Sequence, residues 1–192
     1  DIPRVLISDN PSLKRFASQV AQVREPQTMR VMHVDLDYVY DKDPAQQKRN
    51  IDKLIQRVYD MRISHVFLQA YADPKGDGNI REVYFPNRWL PMRADLFNYI
   101  SWQLQTRAGV TVYAWMPVLA FDLDASIPRV TAWDPKTGRT AINHENYVRL
   151  SPWSSEARQR ITEIYEDLAK HASFKGILFH DDAFLTDFED AS

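Results

Sequence analysis

The sequence predicts an α/β chain that holds about the first half, four parallel strands, of a (β/α)8 TIM-barrel-like fold. Three observations predict it. Short apolar runs alternate with amphipathic helical stretches in the order β-α-β-α-β-α-β, the grammar of a parallel sheet with right-handed crossovers. No Gly-rich turn follows the first strand, as a nucleotide-binding doubly wound half would need. Polar residues gather toward the C-terminal end of every strand, where barrel sites are built. A doubly wound sheet also fits the alternation; the second and third observations favour the barrel. The chain has 192 residues, against about 250 for a whole barrel. It is therefore expected to be a truncated or proteolysed piece lacking strands five to eight, with exposed sheet edges and apolar surface.

Residues 1–30 read as an interdomain linker or lead-in, with a short helix from Asn10-Pro11-Ser12 to Val23, broken at Glu25-Pro26-Gln27. Residues 31–192 form the half-barrel domain. Val31–Tyr38 is the first strand, with His33, Asp35 and Asp37 on one face and Val34 and Leu36 on the other. Asp43 caps the next helix and Pro44 occupies its first position. Ile51, Leu54, Ile55 and Val58 give that helix its apolar stripe. Ser64–Ala70 is the second strand, with His65, Phe67 and Gln69 sharing a face. After a long segment to Met92, a helix runs from about Ala94 to Arg107 and stops near Gly109, a C-cap signal. Val110–Met116 is the third strand, with Thr111, Tyr113 and Trp115 on one face. Pro117–Pro152 is a long loop, Ser154-Ser155-Glu156 opens the third helix, and Gly176–His180 is the fourth strand.

Hydrophobic residues make up 44% and charged residues 26% of the chain, a globular composition. No run approaches the ~18 apolar residues of a membrane span. With no cysteine, disulfide and thiol chemistry are excluded. The net charge is −2 with scattered Lys and Arg, so no basic patch points to nucleic acid.

The fourth strand ends in His180-Asp181-Asp182. Two adjacent carboxylates in a partly desolvated site cannot both ionise cheaply, which is how a protein holds an acid protonated near neutral pH. The plain alternative is a strand end with a solvated acidic loop. Continuing the alternation, one barrel mouth collects Asp35, Asp37, Gln69, Tyr71, Tyr113, Trp115, His180 and Asp182, and Asp181 points off the barrel axis. Aromatic rings with carboxylates suit carbohydrate, since sugar faces stack on Trp and Tyr. Asp182 is then the expected proton donor to a glycosidic oxygen, with Asp181 tuning or orienting it. Asp35, Asp37, Gln69, Tyr71, Tyr113, Trp115 and His180 are the expected sugar-holding residues. Trp89, Trp133 and Trp153 either pin long loops or touch substrate; His65 reads as a satisfied core histidine. Asp73–Asn79 is a turn, because its Pro and the missing twelfth-position Glu spoil a calcium loop. A metal-dependent hydrolase is the rival class, with His33 and His180 as ligands from separate strands, although no two histidines lie three to five apart. No metal and no cofactor are expected.

The stretches Val31–Tyr40, Tyr84-Phe85-Pro86-Asn87-Arg88, Ala114-Trp115-Met116-Pro117 and Phe179-His180-Asp181-Asp182-Ala183 together resemble the C-terminal domain of the PgaB family of poly-β-1,6-N-acetyl-D-glucosamine N-deacetylases. The resemblance covers about residues 30–192. It implies a (β/α) barrel that binds and cleaves partially deacetylated polymer during biofilm polysaccharide export. It further implies an upstream deacetylase domain, a periplasmic, outer-membrane-associated setting and an export porin as partner. The alternative is a non-catalytic glycan-binding module that guides polymer to the pore. The family's catalytic aspartate maps onto the Asp181-Asp182 pair. Its deacetylase motif is absent, and a later catalytic Glu and a substrate-stacking Trp fall outside the chain, so the fragment alone is expected to be inactive.

Overall fold

A computed structural model describes residues 28–144 and 147–190; the lead-in helix expected at Asn10–Val23 lies outside them. Residues Val31–Ser192 form one compact unit. Its centre is a four-stranded parallel sheet of β1 (Val31–Val34), β2 (His65–Gln69), β5 (Thr111–Met116) and β8 (Ile177–Phe179), hydrogen-bonded in the order β1-β2-β5-β8. Sequential neighbours joined by helical crossovers make this the α/β sheet that the alternation predicts.

The crossovers carry α1 (Pro44–Asp60), α2 (Phe97–Gln103) and α3 (Ser155–His171). Asp43 caps α1 by accepting from the Ala45 and Gln46 amides, satisfying two N–H groups with no partner in the helix. Ser154 does the same for α3 through the Ala157 amide. Helix α2 is shorter than predicted. It passes into a π turn at Leu104–Ala108 and ends at Gly109, whose φ of 67° is left-handed, the conformation that favours glycine there.

Period two sorts the sheet into two faces. Val34, Val66, Leu68, Val112, Ala114 and Met116 are buried in one apolar cluster with Ile51, Ile55, Val58, Ile100, Ile164 and Leu168 of the helices. The opposite face carries a row of His33, Phe67 and Tyr113 in register. Edge-to-face packing joins that row: the His33 and Phe67 rings are 5.0 Å apart and those of Phe67 and Tyr113 5.7 Å. Among the described residues β1 and β8 each pair on one side only. Val31 and Phe179 are exposed there, as expected of edges that further strands would cover.

Three departures from the sequence reading have local causes. The first strand stops at Val34, because Asp35 accepts from the Asp37 amide and starts a 3-10 turn at Leu36–Tyr38. The Tyr71–Met92 segment contains a small hairpin, β3 (Tyr71–Ala72) with β4 (Glu82–Val83). The long loop after β5 holds the antiparallel strands β6 (Thr131–Asp134) and β7 (Arg139–Ile142), joined by β9 (Glu189–Asp190) in the order β7-β6-β9.

Candidate active site

The site stands where β5 and β8 end. His180 follows β8, and its amide donates to the Met116 carbonyl at 2.8 Å. Its imidazole stacks on Trp115, with centroids 5.6 Å apart and planes 16° from parallel. Tyr71 meets both rings edge-on, at 5.5 Å from Trp115 and 6.2 Å from His180. Tyr147 approaches His180 from the loop before α3, at 5.2 Å and 78°. Offset stacks and T-shaped contacts are the favoured aromatic geometries, so these four rings hold one another in place.

Beyond His180 the chain turns, and the aspartate pair divides against the alternation. Asp182 is 0% exposed. Its carboxylate accepts from the amides of Val118 (2.9 and 3.1 Å), Leu119 (2.8 Å) and Ala120 (2.6 Å). It does not face the mouth; it fastens the loop that follows β5. The Asp181 side chain is 84% exposed, with Oδ1 2.9 Å from His180 Nδ1. The Tyr147 hydroxyl donates to the same oxygen at 3.2 Å. Burial, then the Asp181 charge and hydrogen bond, push the Tyr147 hydroxyl up, which keeps it a neutral donor. The expected positions of the two aspartates are therefore exchanged. The strand ends at Phe179, so the two-residue period has no force at 181 and 182.

A second set of carboxyls lies on the β1 side. Asp37 accepts from the Tyr84 hydroxyl at 2.6 Å and the Asp73 amide at 2.7 Å. It ties the β1 and β2 loops together, with each oxygen holding one bond. Gln69 is buried, and its side-chain oxygen accepts from the Leu36 amide at 2.9 Å; it supports the rim rather than lining it. Asp35 keeps one oxygen clear of its bond to the Asp37 amide. Burial is the main cause that raises its pKa above the ordinary 3.8, and the Asp37 and Asp73 charges add to it. A carboxyl with a raised folded pKa binds its proton more tightly folded than unfolded. Stability then falls as pH rises from the unfolded value through the folded one. Asp35→Asn is expected to remove that slope and to be the more stable protein above the acid range. Urea titrations of both proteins across acid to neutral pH would show no difference if Asp35 carried no such burden.

The predicted site residues thus sort by place. Trp115, His180 and Asp181 form the mouth, with the Tyr71 ring buried as its wall. Asp35 lies close enough to Tyr71 for its charge to bear on that hydroxyl. Asp37, Gln69 and Asp182 fasten it from behind. Tyr113 sits one row lower, against Phe67 and His65. His65 is bonded to the Ser64 hydroxyl at 2.8 Å. Trp89 pins its loop to α3, donating to Glu163 at 2.7 Å beneath the Arg160 guanidinium at 3.7 Å. Among the described residues no three His, Cys, Asp or Glu side chains converge as metal ligands would.

Sequence reasoning missed Tyr147, because nothing periodic marks it within a long loop. The signal lies instead in Gly78. A Cβ there would stand 2.2 Å from the Tyr147 ring, at a φ of +71°. Gly78→Ala must therefore displace the Tyr147 ring from its place, and alanine at that positive φ is strained as well. The expected result is a Tyr147 ring displaced from Asp181, with global stability lowered by about 1–3 kcal/mol, read by the NMR signals of the ring and by denaturation.

Comparison with known proteins shows the family of the chain. Residues 33–192 match the model of Hypothetical glycosyl hydrolase family 13. The chain belongs to this family. Two curated relatives, each named poly-beta-1,6-N-acetyl-D-glucosamine N-deacetylase, from Escherichia coli K12 and O157:H7, are 58% identical over 191 residues. They align with the whole of this chain, which spans 28% of their length. The solved glycoside hydrolase domain of PgaB (BpsB) from Bordetella bronchiseptica is 56% identical with a TM-score of 0.77, covering 85% of this chain and 47% of that domain. Four parallel strands matched onto about half of that hydrolase domain are the first half of its TIM barrel. The matched span includes Trp115, His180 and Asp181 of the mouth.

Proposed function

We propose that the mouth binds, and in the intact barrel hydrolyses, partially deacetylated poly-β-1,6-N-acetyl-D-glucosamine. The observation that carries this is the exposed Asp181 carboxyl, held between the Tyr147 hydroxyl and His180 beside the Trp115 stack. Glycoside cleavage needs a carboxylic acid in reach of the leaving oxygen. Asp181 has that access and Asp182 has not, so Asp181 is the proton donor and Asp182 the positioning residue behind it. The Tyr147 donor lets Asp181 give up its proton without leaving an unpaired charge. The exposed edge of the Trp115, His180 and Tyr147 assembly offers the apolar surface on which a sugar face stacks. Asp35 supplies a second carboxyl to hydroxyl or amine groups, and Asp37, Gln69, Tyr71 and Tyr113 keep the rim and the row beneath it in shape.

The name of the curated relatives supports the polymer as substrate, and the hydrolase domain of the solved relative supports the reaction class. In this reading the domain uses no cofactor. It works in the periplasm, at the outer membrane, downstream of a deacetylase domain and close to an export porin. The half-barrel alone lacks the groups of the later strands and is inactive. The test is incubation of the intact protein with partially deacetylated and with fully acetylated polymer, followed by sizing of the products. Shortened chains from the partially deacetylated polymer are expected. Binding without any shortening would establish the non-catalytic guiding module instead, and no binding to either polymer would end both readings.

A further inference from the structure

The turn Asp73–Asn79 lies between β3 and β4 and is fastened at both ends. The Asp73 amide donates to Asp37 at 2.7 Å, and the Asp73 carboxylate accepts from the amides of Asp77 (3.2 Å) and Gly78 (2.9 Å). At the other end the Ile80 amide donates to the Ala120 carbonyl at 2.9 Å, and the Ile80 carbonyl accepts from the Asp122 amide at 2.8 Å. The Ala120 amide is one of those that Asp182 holds. The turn thus stands between two carboxylates of the rim, Asp37 on the β1 side and Asp182 behind the β8 end.

Its last two residues face Tyr147. The Tyr147 ring fills the place where a Cβ on Gly78 would stand. The Asn79 side chain reaches the backbone beside that ring. Its Oδ1 accepts from the Val148 amide at 2.8 Å, and its Nδ2 donates to the Asp77 carbonyl at 3.1 Å. The oxygen of an amide side chain accepts and its nitrogen donates, so these two partners fix Asn79 in one orientation. The peptide between Tyr147 and Val148 is then held at both poles, its N–H by Asn79 and its carbonyl by Arg149 Nε at 3.1 Å. A peptide unit is planar, so holding both poles sets the plane and the direction in which Tyr147 leaves the backbone. The Arg149 bond comes from two residues along the same segment. The Asn79 bond crosses to another element, 69 residues away in the chain.

From this we infer that Asn79 is a positioning residue for the proton donor: through the Val148 amide it sets the Tyr147 hydroxyl against Asp181. A reacting group has to be held to a fraction of an ångström by contacts behind those that meet the substrate. The turn supplies that hold, and the path of bonds closes on itself. Asp182 grips Ala120, Ala120 grips Ile80, Asn79 grips Val148, and Tyr147 grips Asp181, the neighbour of Asp182. The effect on rate rests on the proposed role of Asp181; the effect on Tyr147 rests on the geometry alone.

The experiment uses the intact protein as wild type, Asn79→Ala and Asn79→Asp. NMR of tyrosine labelled at Cζ follows the Tyr147 hydroxyl, with Tyr147→Phe identifying its signal, and amide hydrogen exchange follows Val148. In the wild type the Val148 amide is expected to be protected. Tyr147 is expected to titrate above an ordinary tyrosine, because burial and then Asp181 raise it, with the Asp182 and Asp73 charges adding to them. Asn79→Ala is expected to release the amide and to bring the Tyr147 titration back toward the ordinary value. It is also expected to slow cleavage of partially deacetylated polymer about tenfold, as lost orientation does, with the denaturation midpoint little changed. Asn79→Asp keeps an acceptor for Val148 and is expected to restore the protection and most of the rate. An unprotected Val148 amide in the wild type overturns the inference, whether or not either variant folds. So does an unmoved Tyr147 titration or an undiminished rate in folded Asn79→Ala, or an Asn79→Asp no better than Asn79→Ala. If the wild type cleaves nothing, the role of Asp181 fails instead, and exchange and titration still decide whether Asn79 holds Tyr147 in place.

Discussion

Asp181→Asn in the intact barrel is expected to abolish cleavage of partially deacetylated polymer, by about a thousandfold, while leaving the protein as stable as the wild type. The amide keeps the shape and the Tyr147 hydrogen bond, whose acceptor is Oδ1, but has no acidic proton to give. General acid catalysis contributes roughly a hundredfold to ten-thousandfold, which sets the size. Stability is spared because the side chain is 84% exposed and its close partners among the described residues are His180 and Tyr147. The measurement is the initial rate of reducing-end release beside a urea titration. Undiminished cleavage would remove Asp181 from the reaction. Cleavage and stability falling together would make it a structural residue.

Asp182→Ala is expected to do the reverse: to destabilise the fold by about 4 kcal/mol, with lost activity only as a consequence. The carboxylate accepts from three consecutive amides, at Val118, Leu119 and Ala120. Removing it leaves two buried N–H groups and one half-buried one unpaired, each costing about 1–3 kcal/mol, less whatever water enters the space. A loss of that size is a large part of the stability of an ordinary domain. Denaturation of the variant at neutral pH reads it directly. A stability change below about 1 kcal/mol would mean that the loop after β5 finds other acceptors. The adjacent aspartates thus fail in opposite ways, and the contrast between them is a sharper test than either substitution alone.

Much of the fold was legible in the residues. Ile51, Ile55 and Val58 recur at helical spacing and are all buried in the core. Asp43 with Pro44, and Ser154, mark helix starts that the structure reproduces to the residue. The alternation of His65, Phe67 and Gln69 against Val66 and Leu68 places β2 correctly, and the same holds for Tyr113 and Trp115 in β5. In each case the information is local: the period of the side chains is the period of the backbone.

The site was legible only in part, and the boundary falls where the regular backbone ends. Trp115 lies inside a strand, so its face followed from its neighbours. Asp35, Asp37, Asp181 and Asp182 lie just past strand ends, where direction is decided by the nearest available donors rather than by period. Those donors come from far along the chain: Val118–Ala120 for Asp182, and Tyr84 and Asp73 for Asp37. The place of Tyr147 was out of reach for the same reason, since it depends on contacts with Gly78 and Arg149 that only the fold makes. By itself the sequence determined the alternating strands and helices, their caps, the two faces of the parallel sheet, and the gathering of polar and aromatic groups at one rim. The tertiary structure alone decided which aspartate meets solvent and which is spent on backbone amides, because a carboxylate turns toward the donors that surround it, and only the folded chain brings them there.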